Sequence, residues 1–334
     1  NTKASNYTIT PEYGKLKVTP VTAEVVVTIT ENSGSYKYDG TEKTVTGYEV
    51  TSISNPLYKE NDFTFSGDAT IKGTDADTYD MNLVPGDFTN TNENFKNVSF
   101  VIVNGTLVIS PRTLTITSGS DSKEYNGTPL TNFTVTVTGD GFVDGEGASY
   151  TFTGSQTNNG SSKNTFDYTL NDNTKAKNYK ITKEYGDLTV TAVATQIVIK
   201  ALSDSKVYDG QPLTNGNYTY TGKLAEGDVL TAVVEGSQTD TGSSDNVVRS
   251  YKVTRNGVDV TKNYTFGASQ KGTLTVNPRP VTLTSGGGEK KYDGTPLTNP
   301  TVTVGGSGFV AGEGATYNVT GSQTDKGSSK NWFT

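Results

Sequence analysis

Lys37-Tyr38-Asp39-Gly40 is the first of four copies of a short stretch around which the chain is organised. The other copies are Glu124-Tyr125-Asn126-Gly127, Val207-Tyr208-Asp209-Gly210 and Lys291-Tyr292-Asp293-Gly294. Their tyrosines follow one another at 87, 83 and 84 residues, a period that is too long for solenoid or propeller units and typical of small β domains. The chain is therefore predicted to be a tandem array with one folded domain in each period.

The pair that follows each tyrosine predicts a tight turn. Asp-Gly and Asn-Gly favour turns because these residue types tolerate a positive φ. We expect the tyrosine of each copy, such as Tyr38, to anchor its turn to the core. The residues of this signature are thus interpreted as structural.

Internal matches place the boundaries of the repeats. Three complete units are joined by linkers of two to four residues, and they span residues 21–111, 112–194 and 195–278. At Asn277-Pro278-Arg279-Pro280 one strand pattern runs through such a linker into the next. Because short, proline-bearing connections restrict bending, we predict an elongated, semi-rigid rod.

The two outer segments match parts of complete units. Residues 1–20 match 173–192 without a gap, and they are interpreted as the C-terminal strands of a preceding repeat. Residues 279–334 are interpreted as a partial repeat, because 292–331 match 125–164 without gaps. The strands that the first segment supplies are ones that the partial repeat lacks.

The hydrophobic pattern inside each unit has a period of two. Thr134-Val135-Thr136-Val137-Thr138 alternates in this way, and no window keeps apolar residues at helical spacing. We predict an all-β chain of immunoglobulin-like antiparallel sandwiches, each with about seven strands. The unit 21–111 is a separate subtype, because it lacks a Gly-Ser-Gln-Thr element that recurs elsewhere. That element lies at Gly154–Thr157, Gly236–Thr239 and Gly321–Thr324.

Composition excludes several classes of chemistry. The chain has no cysteine and no histidine, so it has no disulfide, no thiol nucleophile, no Ser-His-Asp triad and no imidazole metal ligand. A net charge of −7 with scattered lysines argues against nucleic-acid binding. No apolar run approaches the roughly 20 residues of a membrane span, so no membrane insertion is expected. No cofactor is expected.

Several stretches resemble one family of bacterial repeats. They are YDGTPLTN (292–299), GSQTDKGSSKN (321–331), NYTFGASQKGTLTVNP (263–278) and, in the first unit, KGTDADTYDMNL and DFTNTNENFKNVSF. Together they are similar to the YDG and MBG-type repeat domains of Gram-positive cell-surface proteins. The resemblance implies immunoglobulin-like sandwiches at the cell wall, outside the cell, which stand between a wall anchor and a distal adhesive or enzymatic domain.

Glutamates recur in glycine-rich stretches of the repeats. Glu146, Glu226 and Glu313 each have glycine neighbours, and paired carboxylates are the catalytic groups of glycosidases. An active site is assembled once from distant strands, whereas a residue that returns in every copy is usually a turn feature. The glycine pattern Gly139–Gly147 precedes no helix, so it is interpreted as a loop without a phosphate site. We predict no catalytic residue.

Two further constellations have a functional and a structural interpretation. Asp75, Asp77 and Asp80 have the spacing of calcium-loop carboxylates but lack the glycine and closing glutamate of an EF-hand, which favours a solvated loop. Two sets of residues match the lysine, acid and asparagine of an intramolecular isopeptide bond, and they are Lys123, Glu146 and Asn178, and Lys206, Glu226 and Asn263. Strand alternation orients the signature lysines of different repeats differently, which argues against a shared bond.

Three aromatic residues are candidates for contact with a ligand. Exposed rings stack on sugars in adhesins, and the rings with this potential are those of Tyr218, Tyr220 and Trp332. The structural interpretation is that Tyr218 and Tyr220, two positions apart, fill one face of a sandwich. Trp332 takes the place of Thr165 in the repeat alignment and has no such explanation.

The function predicted from these features is a non-catalytic extracellular stalk that projects a distal domain, with neighbouring repeats as its partners. One alternative is an adhesin that binds host glycan or mucin through repeated faces. Another is a head-to-tail fibre subunit, in which residues 1–20 of one copy complete the partial repeat of another by strand addition. The sequence leaves these alternatives open.

Overall fold

The computed structural model describes residues 2–334, which form β-strands and short 3-10 turns without an α-helix. The turns lie at Ala4–Asn6, Glu60–Asp62, Pro85–Asp87, Ala176–Asn178 and Thr261–Asn263. The described residues divide into two compact units. The first unit holds residues 2–120, 132–153 and 164–186, and the second holds 121–131, 154–163 and 187–334. The division passes through the second sequence repeat, so the repeat boundaries stay a prediction.

Ten strands form the first complete repeat, which lies within the first unit. They are β1 (Val25–Glu31), β2 (Gly34–Lys37), β3 (Lys43–Thr46), β4 (Tyr48–Ile53), β5 (Phe63–Phe65), β6 (Thr70–Gly73), β7 (Asp77–Asp80), β8 (Phe88–Asn90), β9 (Val98–Val103) and β10 (Thr106–Ser110). One sheet has the order β4-β1-β9 and a second has the order β2-β10-β7. Two smaller antiparallel pairs, β3 with β6 and β5 with β8, complete the repeat.

The second repeat contributes strands to both units. They are β11 (Arg112–Ser118), β12 (Asp121–Glu124), β13 (Val135–Gly139), β14 (Ala148–Phe152), β15 (Gly160–Lys163), β16 (Phe166–Leu170), β17 (Tyr179–Glu184) and β18 (Asp187–Thr191). In the first unit they form a sheet of order β13-β11-β17 and the pair β14-β16. In the second unit they form a sheet of order β12-β18-β15.

The third repeat and the partial repeat lie in the second unit. Their strands are β19 (Val193–Ala201), β20 (Asp204–Val207), β21 (Tyr218–Thr221), β22 (Asp228–Glu235), β23 (Gly242–Arg255), β24 (Val258–Asp259), β25 (Tyr264–Phe266), β26 (Gly272–Asn277), β27 (Val281–Ser285) and β28 (Val302–Gly306). The third repeat forms a sheet of order β21-β19-β25 and a sheet of order β20-β26-β23-β22, to which β24 adds. The partial repeat contains the antiparallel pair β27-β28.

Most sheets are mixed, because their central strand has one parallel and one antiparallel neighbour, whereas β23 has antiparallel neighbours alone. β1 pairs antiparallel with β4 and parallel with β9, and β11 does the same with β13 and β17. The prediction of an all-β chain of tandem immunoglobulin-like sandwich repeats is confirmed, but the expectation of wholly antiparallel sheets is wrong. Parallel strands are joined through a long crossover, so local alternation does not distinguish them from hairpin neighbours.

The apolar cores join residues from successive repeats. In the first unit, Val27 and Ile29 of β1 and Ile116 of β11 belong to one continuous cluster, and each has no exposed surface. In the second unit, Leu188 of β18 and Ile197 of β19 are buried together in the same way. Full burial of such a side chain stabilises a fold by about 1.5–3 kcal/mol. Packing inside each unit therefore crosses the sequence boundary between repeats.

A buried asparagine explains why the Gly-Ser-Gln-Thr element begins with glycine. Asn246 is fully buried, and its Nδ2 donates to the backbone oxygens of Leu202 and Asn215 at 2.9 and 2.8 Å. A Cβ placed on Gly236 would lie 2.7 Å from Oδ1 of this asparagine, so only glycine fits there. Asn164 and Asn331 bridge two backbone oxygens in the same manner.

Residues 2–20 contain the Ala4–Asn6 turn and no strand. Their large apolar side chains are exposed, including Tyr13, Leu16 and Val18. The assignment of this segment to the closing strands of a preceding repeat therefore stays a prediction. Residue 1 lies outside the described residues.

Candidate functional site at the junctions between repeats

The signature turns have the predicted geometry in all four copies. The glycine φ angles are +80° at Gly40, +81° at Gly127, +75° at Gly210 and +74° at Gly294. In each copy the preceding side-chain Oδ1 accepts the backbone N–H two residues further on, and the acceptors are Asp39, Asn126, Asp209 and Asp293. The prediction of a turn that requires glycine is confirmed, because an L side chain is strained at such a φ.

In the first unit, the signature tyrosine binds the following repeat. The Tyr38 hydroxyl donates to Glu146 Oε1 at 2.5 Å, and the Tyr179 hydroxyl donates to Glu146 Oε2 at 2.6 Å. The two rings meet edge to face, with centroids 5.7 Å apart. Tyr38 belongs to the first repeat and the other two residues belong to the second. The expectation that the tyrosine anchors its turn to the core is confirmed for Tyr38, which is buried in the apolar cluster that the two repeats share. We call this arrangement of a tyrosine, a carboxylate and a second tyrosine the tyrosine clamp.

In the second unit, the same arrangement joins the second and third repeats. The hydroxyls of Tyr125 and Tyr264 both donate to Asp228 Oδ2, at 3.0 and 2.5 Å. Their ring centroids are 5.6 Å apart, again edge to face. The backbone N–H of Ala225 donates to the Tyr264 hydroxyl at 2.8 Å, so this hydroxyl both accepts and donates. The tyrosine clamp therefore recurs with a different acid.

The third and fourth copies of the signature differ in their surroundings. Tyr208 is exposed to solvent in part, and its hydroxyl donates to the carboxylate of Glu313 in the partial repeat. Tyr292 is 70% exposed. The carboxylates of Glu146 and Glu313 therefore act as hydrogen-bond acceptors for tyrosine, which supports the prediction that these glutamates are structural.

An arginine stabilises the turn at each junction. Arg112, the first residue of β11, donates to the backbone oxygens of Gly141 at 2.8 Å and of Tyr38 at 3.4 Å. Arg279, in the linker before the partial repeat, donates to the Gly308 oxygen at 2.6 Å and to the Tyr208 oxygen at 3.5 Å. A guanidinium suits this role because its planar fork has five N–H donors.

The junction between the second and third repeats takes its arginine from β23 of the third repeat. Arg255, at the end of β23, donates from Nε to Asp228 Oδ1 at 2.6 Å and from Nη1 to the Gly127 oxygen at 2.8 Å. The Asp228 side chain has no exposed surface. Glu226, which the repeat alignment equates with Glu146, contributes only its backbone oxygen to Arg255. The acid of the tyrosine clamp has thus moved by two residues.

The carboxylates proposed for a calcium loop bind the second repeat. Asp75 pairs with Lys175 at 2.8 Å and accepts from Asn178 Nδ2 at 3.1 Å, and Asp77 pairs with Lys177 at 3.2 Å. Lys175 lowers the pKa of Asp75 below its usual value. No group of three metal-ligating side chains is present within residues 2–334. The structure therefore places two of these aspartates in ion pairs.

Asparagines reinforce both junctions. Asn178 Oδ1 accepts the Ala76 backbone N–H at 2.7 Å. In the second unit, Asn263 Oδ1 accepts the Asn159 N–H at 2.7 Å, and its Nδ2 donates to Asn158 Oδ1 at 2.9 Å. Each asparagine directly precedes the second tyrosine of a clamp, and each is buried. Each Asn-Tyr dipeptide, where β17 or β25 begins, therefore provides both an asparagine contact and a tyrosine contact to its junction.

The lysines of the proposed isopeptide bonds bind their own signature turns. Lys206 Nζ binds Asp209 Oδ1 at 2.5 Å and the Gln211 oxygen at 2.6 Å, whereas Asn263 binds the loop at Asn158. Lys123 Nζ likewise donates to its own turn, at Asn126 Oδ1. The contacts of Lys206 and Asn263 therefore contradict the second of the two proposed bonds, and the first stays a hypothesis. The lysines support the signature turns.

The three candidate aromatic residues differ in exposure. Tyr218 packs against the core of the second unit and donates to the Leu230 oxygen at 3.1 Å, as the structural interpretation requires. Tyr220 is 44% exposed, and Trp332 is 64% exposed with Lys330 Nζ 5.4 Å from its ring centroid. The ligand-binding role of these residues stays a prediction.

The clamp tyrosines are harder to ionise than free phenols. Burial is the largest cause, and the hydrogen bond to Glu146 adds to it, so that the pKa of Tyr179 rises to about 12. The same two causes raise the pKa of Tyr38, and burial with the Asp228 contact raises the pKa of Tyr125 and Tyr264. A neighbouring carboxylate and a dry environment both disfavour the phenolate.

These shifts predict a loss of stability in alkali. The pKa of the Tyr179 phenol rises on folding from 10.0 to about 12. The group therefore stabilises the fold fully below pH 10, and this stabilisation is lost as the pH rises from 10 to about 12. We expect the urea midpoint to fall steeply over that range, measured by circular dichroism. Tyr179→Phe should reduce this slope. Equal slopes for the two proteins would contradict the assignment.

Comparisons with known proteins add little to this picture. No protein-family model and no curated protein sequence matches the chain. The N-terminal eight Ig domains of Down Syndrome Cell Adhesion Molecule (DSCAM) isoform 1.30.30 are 11% identical over 88% of this chain, which spans 46% of that structure, with a TM-score of 0.16. The N-terminal four Ig domains of Dscam1 isoform 7.44 are 11% identical, with coverage of 76% and 72% and a TM-score of 0.14. A likeness of this size carries no assignment, so the fold class rests on the sheets described above.

Between residues 2 and 334, no helix is long and apolar enough to span a bilayer.

Proposed function

We propose that this chain is a non-catalytic spacer, a stalk segment of the YDG and MBG type that projects a distal domain from the surface of a Gram-positive bacterium. The tyrosine clamp carries the proposal, because one carboxylate binds tyrosines from two successive repeats at two junctions. A spacer needs resistance to bending at its junctions more than it needs a ligand site.

The contacts at each junction are numerous enough to restrict its motion. Between the first and second repeats, the tyrosine clamp acts together with Arg112, Asn178 and the Lys37–Asp140 ion pair at 2.7 Å. Several directional hydrogen bonds that leave from different strands permit only a narrow range of angles. A flexible Gly/Ser linker would leave the repeats independent.

Spin labels test the stiffness of the junction within the first unit. The chain has no cysteine, so Thr64→Cys and Thr151→Cys, both at exposed strand positions of the first and second repeats, would carry the labels alone. We expect a narrow distribution of distances by double electron–electron resonance. Tyr38→Phe combined with Asn178→Ala should broaden it, because three junction hydrogen bonds are removed.

Tyr36→Phe is the matched control for this experiment. Tyr36 lies on β2 of the same repeat, and its side chain is 42% exposed. The control variant should retain the narrow distribution. A broad distribution in the labelled parent chain would contradict the spacer proposal.

Binding of a host glycan or mucin is the second candidate function. The exposed rings of Tyr220 and Trp332 favour it, since aromatic faces stack on sugars. Saturable binding of the chain to a glycan and mucin array, lost in Tyr220→Ala with Trp332→Ala, would support an adhesin. Binding that is unchanged in this double variant would exclude these two rings as the site.

A further inference from the structure

β22 lies at the edge of its sheet, inside the third repeat. The sheet has the order β20-β26-β23-β22, so among residues 2–334 only β23 pairs with β22. β22 spans eight residues, Asp228–Glu235, whereas the other edge strands of the described sheets span at most six. A long edge strand presents a row of backbone groups that can pair with another chain.

The backbone of β23 shows which groups of β22 face outward. The Val253 N–H donates to Thr261 Oγ1 at 2.9 Å, and the Val253 oxygen accepts the Val260 N–H at 2.9 Å. The backbone groups of Val253 therefore point away from β22. Leu230 lies opposite Val253, and opposite residues of an antiparallel pair exchange either both hydrogen bonds or none. The N–H and C=O groups of Leu230, and those of Ala232 two residues further on, therefore point out of the sheet edge.

A contact within the second unit agrees with this orientation. The Tyr218 hydroxyl donates to the Leu230 oxygen at 3.1 Å, and Tyr218 belongs to β21 and not to β23. A carbonyl oxygen has two lone pairs, so it can accept a second hydrogen bond. The outward groups of β22 therefore retain their capacity to pair with a strand.

The centre of β22 lacks the side chains that keep edge strands apart. Natural edge strands are often protected by lysine, proline or an inward-pointing charge. Residues 229–234 are Val-Leu-Thr-Ala-Val-Val and carry no charge. On the outer face of the sheet, Val229 and Val233 are 57% and 51% exposed. The strand therefore presents apolar surface together with its outward backbone groups.

The sequence of β22 is complementary to itself about Thr231. In an antiparallel pair of two copies centred on this residue, each Thr231 lies opposite the other. Val229 then lies opposite Val233 of the second copy, so the exposed valines meet on the outer face. Leu230 lies opposite Ala232 of the second copy, so a large residue meets a small one on the inner face. The outward backbone groups of these two residues exchange hydrogen bonds.

The charges at the strand ends are compatible with this register. Glu235 pairs with Arg249 of its own chain at 3.3 Å. It lies beyond the paired residues, and the two copies place it at opposite ends of the contact. No like charges therefore face each other across the paired strands. A shift that keeps the faces but brings Glu235 opposite Val229 would set a charge against an apolar side chain.

We propose that two copies of this chain associate through β22, antiparallel and edge to edge, with a two-fold axis at Thr231. The contact joins the two sheets into one continuous sheet. Main-chain hydrogen bonds supply affinity, and the valine pairs supply the register. Because the contact is isologous, it closes on itself and the assembly is a dimer. This inference is independent of the proposed spacer function, since stiffness at a junction within the first unit requires no second copy.

Sedimentation equilibrium of the 334-residue chain tests the association. We expect the mean mass to rise with concentration from one chain to two and no further. Thr231→Lys should raise the dissociation constant by about fivefold or more, because like charges would lie directly opposite each other. A mixture of Thr231→Lys with Thr231→Glu should associate again. A parent chain that stays monomeric at all concentrations, or that grows beyond two copies, would overturn the proposal.

Thr151→Lys is the matched control for this experiment. Thr151 takes the place of Thr231 in the repeat alignment, and it is exposed on β14, an edge strand of five residues. This variant should associate like the parent chain. Equal loss of association in the two lysine variants would overturn β22 as the contact.

Cross-linking through single cysteines tests the register. The parent chain has no cysteine, so one introduced cysteine forms a disulfide only between copies. The backbone groups of Thr231 point away from the second copy, and in such a pair the Cα atoms lie about 4.5 Å apart, which suits a disulfide. We expect Thr231→Cys to form covalent dimers under mild oxidation.

A second pair of variants distinguishes this register from its neighbours. Val233→Cys alone should not form covalent dimers, whereas a mixture of Val233→Cys with Val229→Cys should, because these positions lie opposite each other. Covalent dimers of Val233→Cys that form as fast as those of Thr231→Cys would overturn the two-fold axis at Thr231.

Discussion

Replacing Arg255 by methionine is expected to lower the free energy of opening at the second junction by about 3 kcal/mol, because a buried carboxylate is left without its counter-ion. Asp228 has no exposed side-chain surface, and Arg255 Nε is 2.6 Å from its Oδ1. The variant also removes the donor to the Gly127 oxygen. Two tyrosine hydroxyls still donate to Asp228, but neither carries a charge.

Hydrogen exchange of the amides in β22 and β25 measures this effect locally, which avoids a two-state assumption for a multi-repeat chain. Arg249→Met is the matched control, because Arg249 lies on the same strand with a 63% exposed side chain and pairs with the 60% exposed Glu235. An exposed pair contributes about 0–1 kcal/mol. Asp228→Asn should restore part of the loss in the Arg255→Met background. Equal effects of the two arginine variants would refute a buried ion pair.

Gly272→Ala is expected to destabilise the third repeat by about 3 kcal/mol, because the added methyl group has no space. Its Cβ would lie 2.4 Å from the Leu202 backbone oxygen and 2.8 Å from the Ala201 oxygen. Neither atom belongs to a flexible side chain, so β19 or β26 must shift. The shift would disturb Leu274 and Val276, which are buried in the cluster that β26 contributes to.

Faster hydrogen exchange of the β26 amides would report this destabilisation directly. Gly14→Ala serves as the control at the equivalent position of the sequence repeat, where the alanine methyl meets nothing. It should leave exchange in the internal strands unchanged. Equal exchange rates of the β26 amides in Gly272→Ala and Gly14→Ala would contradict the close approach between Gly272 and the Leu202 backbone oxygen.

Local sequence was sufficient to predict the signature turns and the strands. The Asp-Gly and Asn-Gly pairs need a positive φ wherever they form this turn, and all four glycines have one. The β-branched alternation needs a pleated surface with one buried face, and β1 and β11 bury alternate residues as expected. Both features depend on neighbours along the chain, so the sequence shows them directly.

Such patterns do not predict which strands pair with each other in a sheet. Parallel pairs such as β1 with β9 join strands that are distant in the chain, and a half-buried strand has the same alternation in either orientation. The acid at the second junction was missed for a related reason. Alignment of the repeats predicts Glu226 as this acid. In the structure the hydroxyls of Tyr125 and Tyr264 both donate to Asp228, and Arg255 balances the charge of this carboxylate.

The sequence by itself determined that this protein is a series of β repeats with glycine turns, because period and turn chemistry are local properties. Only the tertiary structure decided what the signature tyrosine does. A buried hydroxyl needs an acceptor, and the acceptor comes from the following repeat, 108 residues away for Tyr38 and Glu146. Such a partner is selected by packing in three dimensions, where residues that are distant in sequence become neighbours.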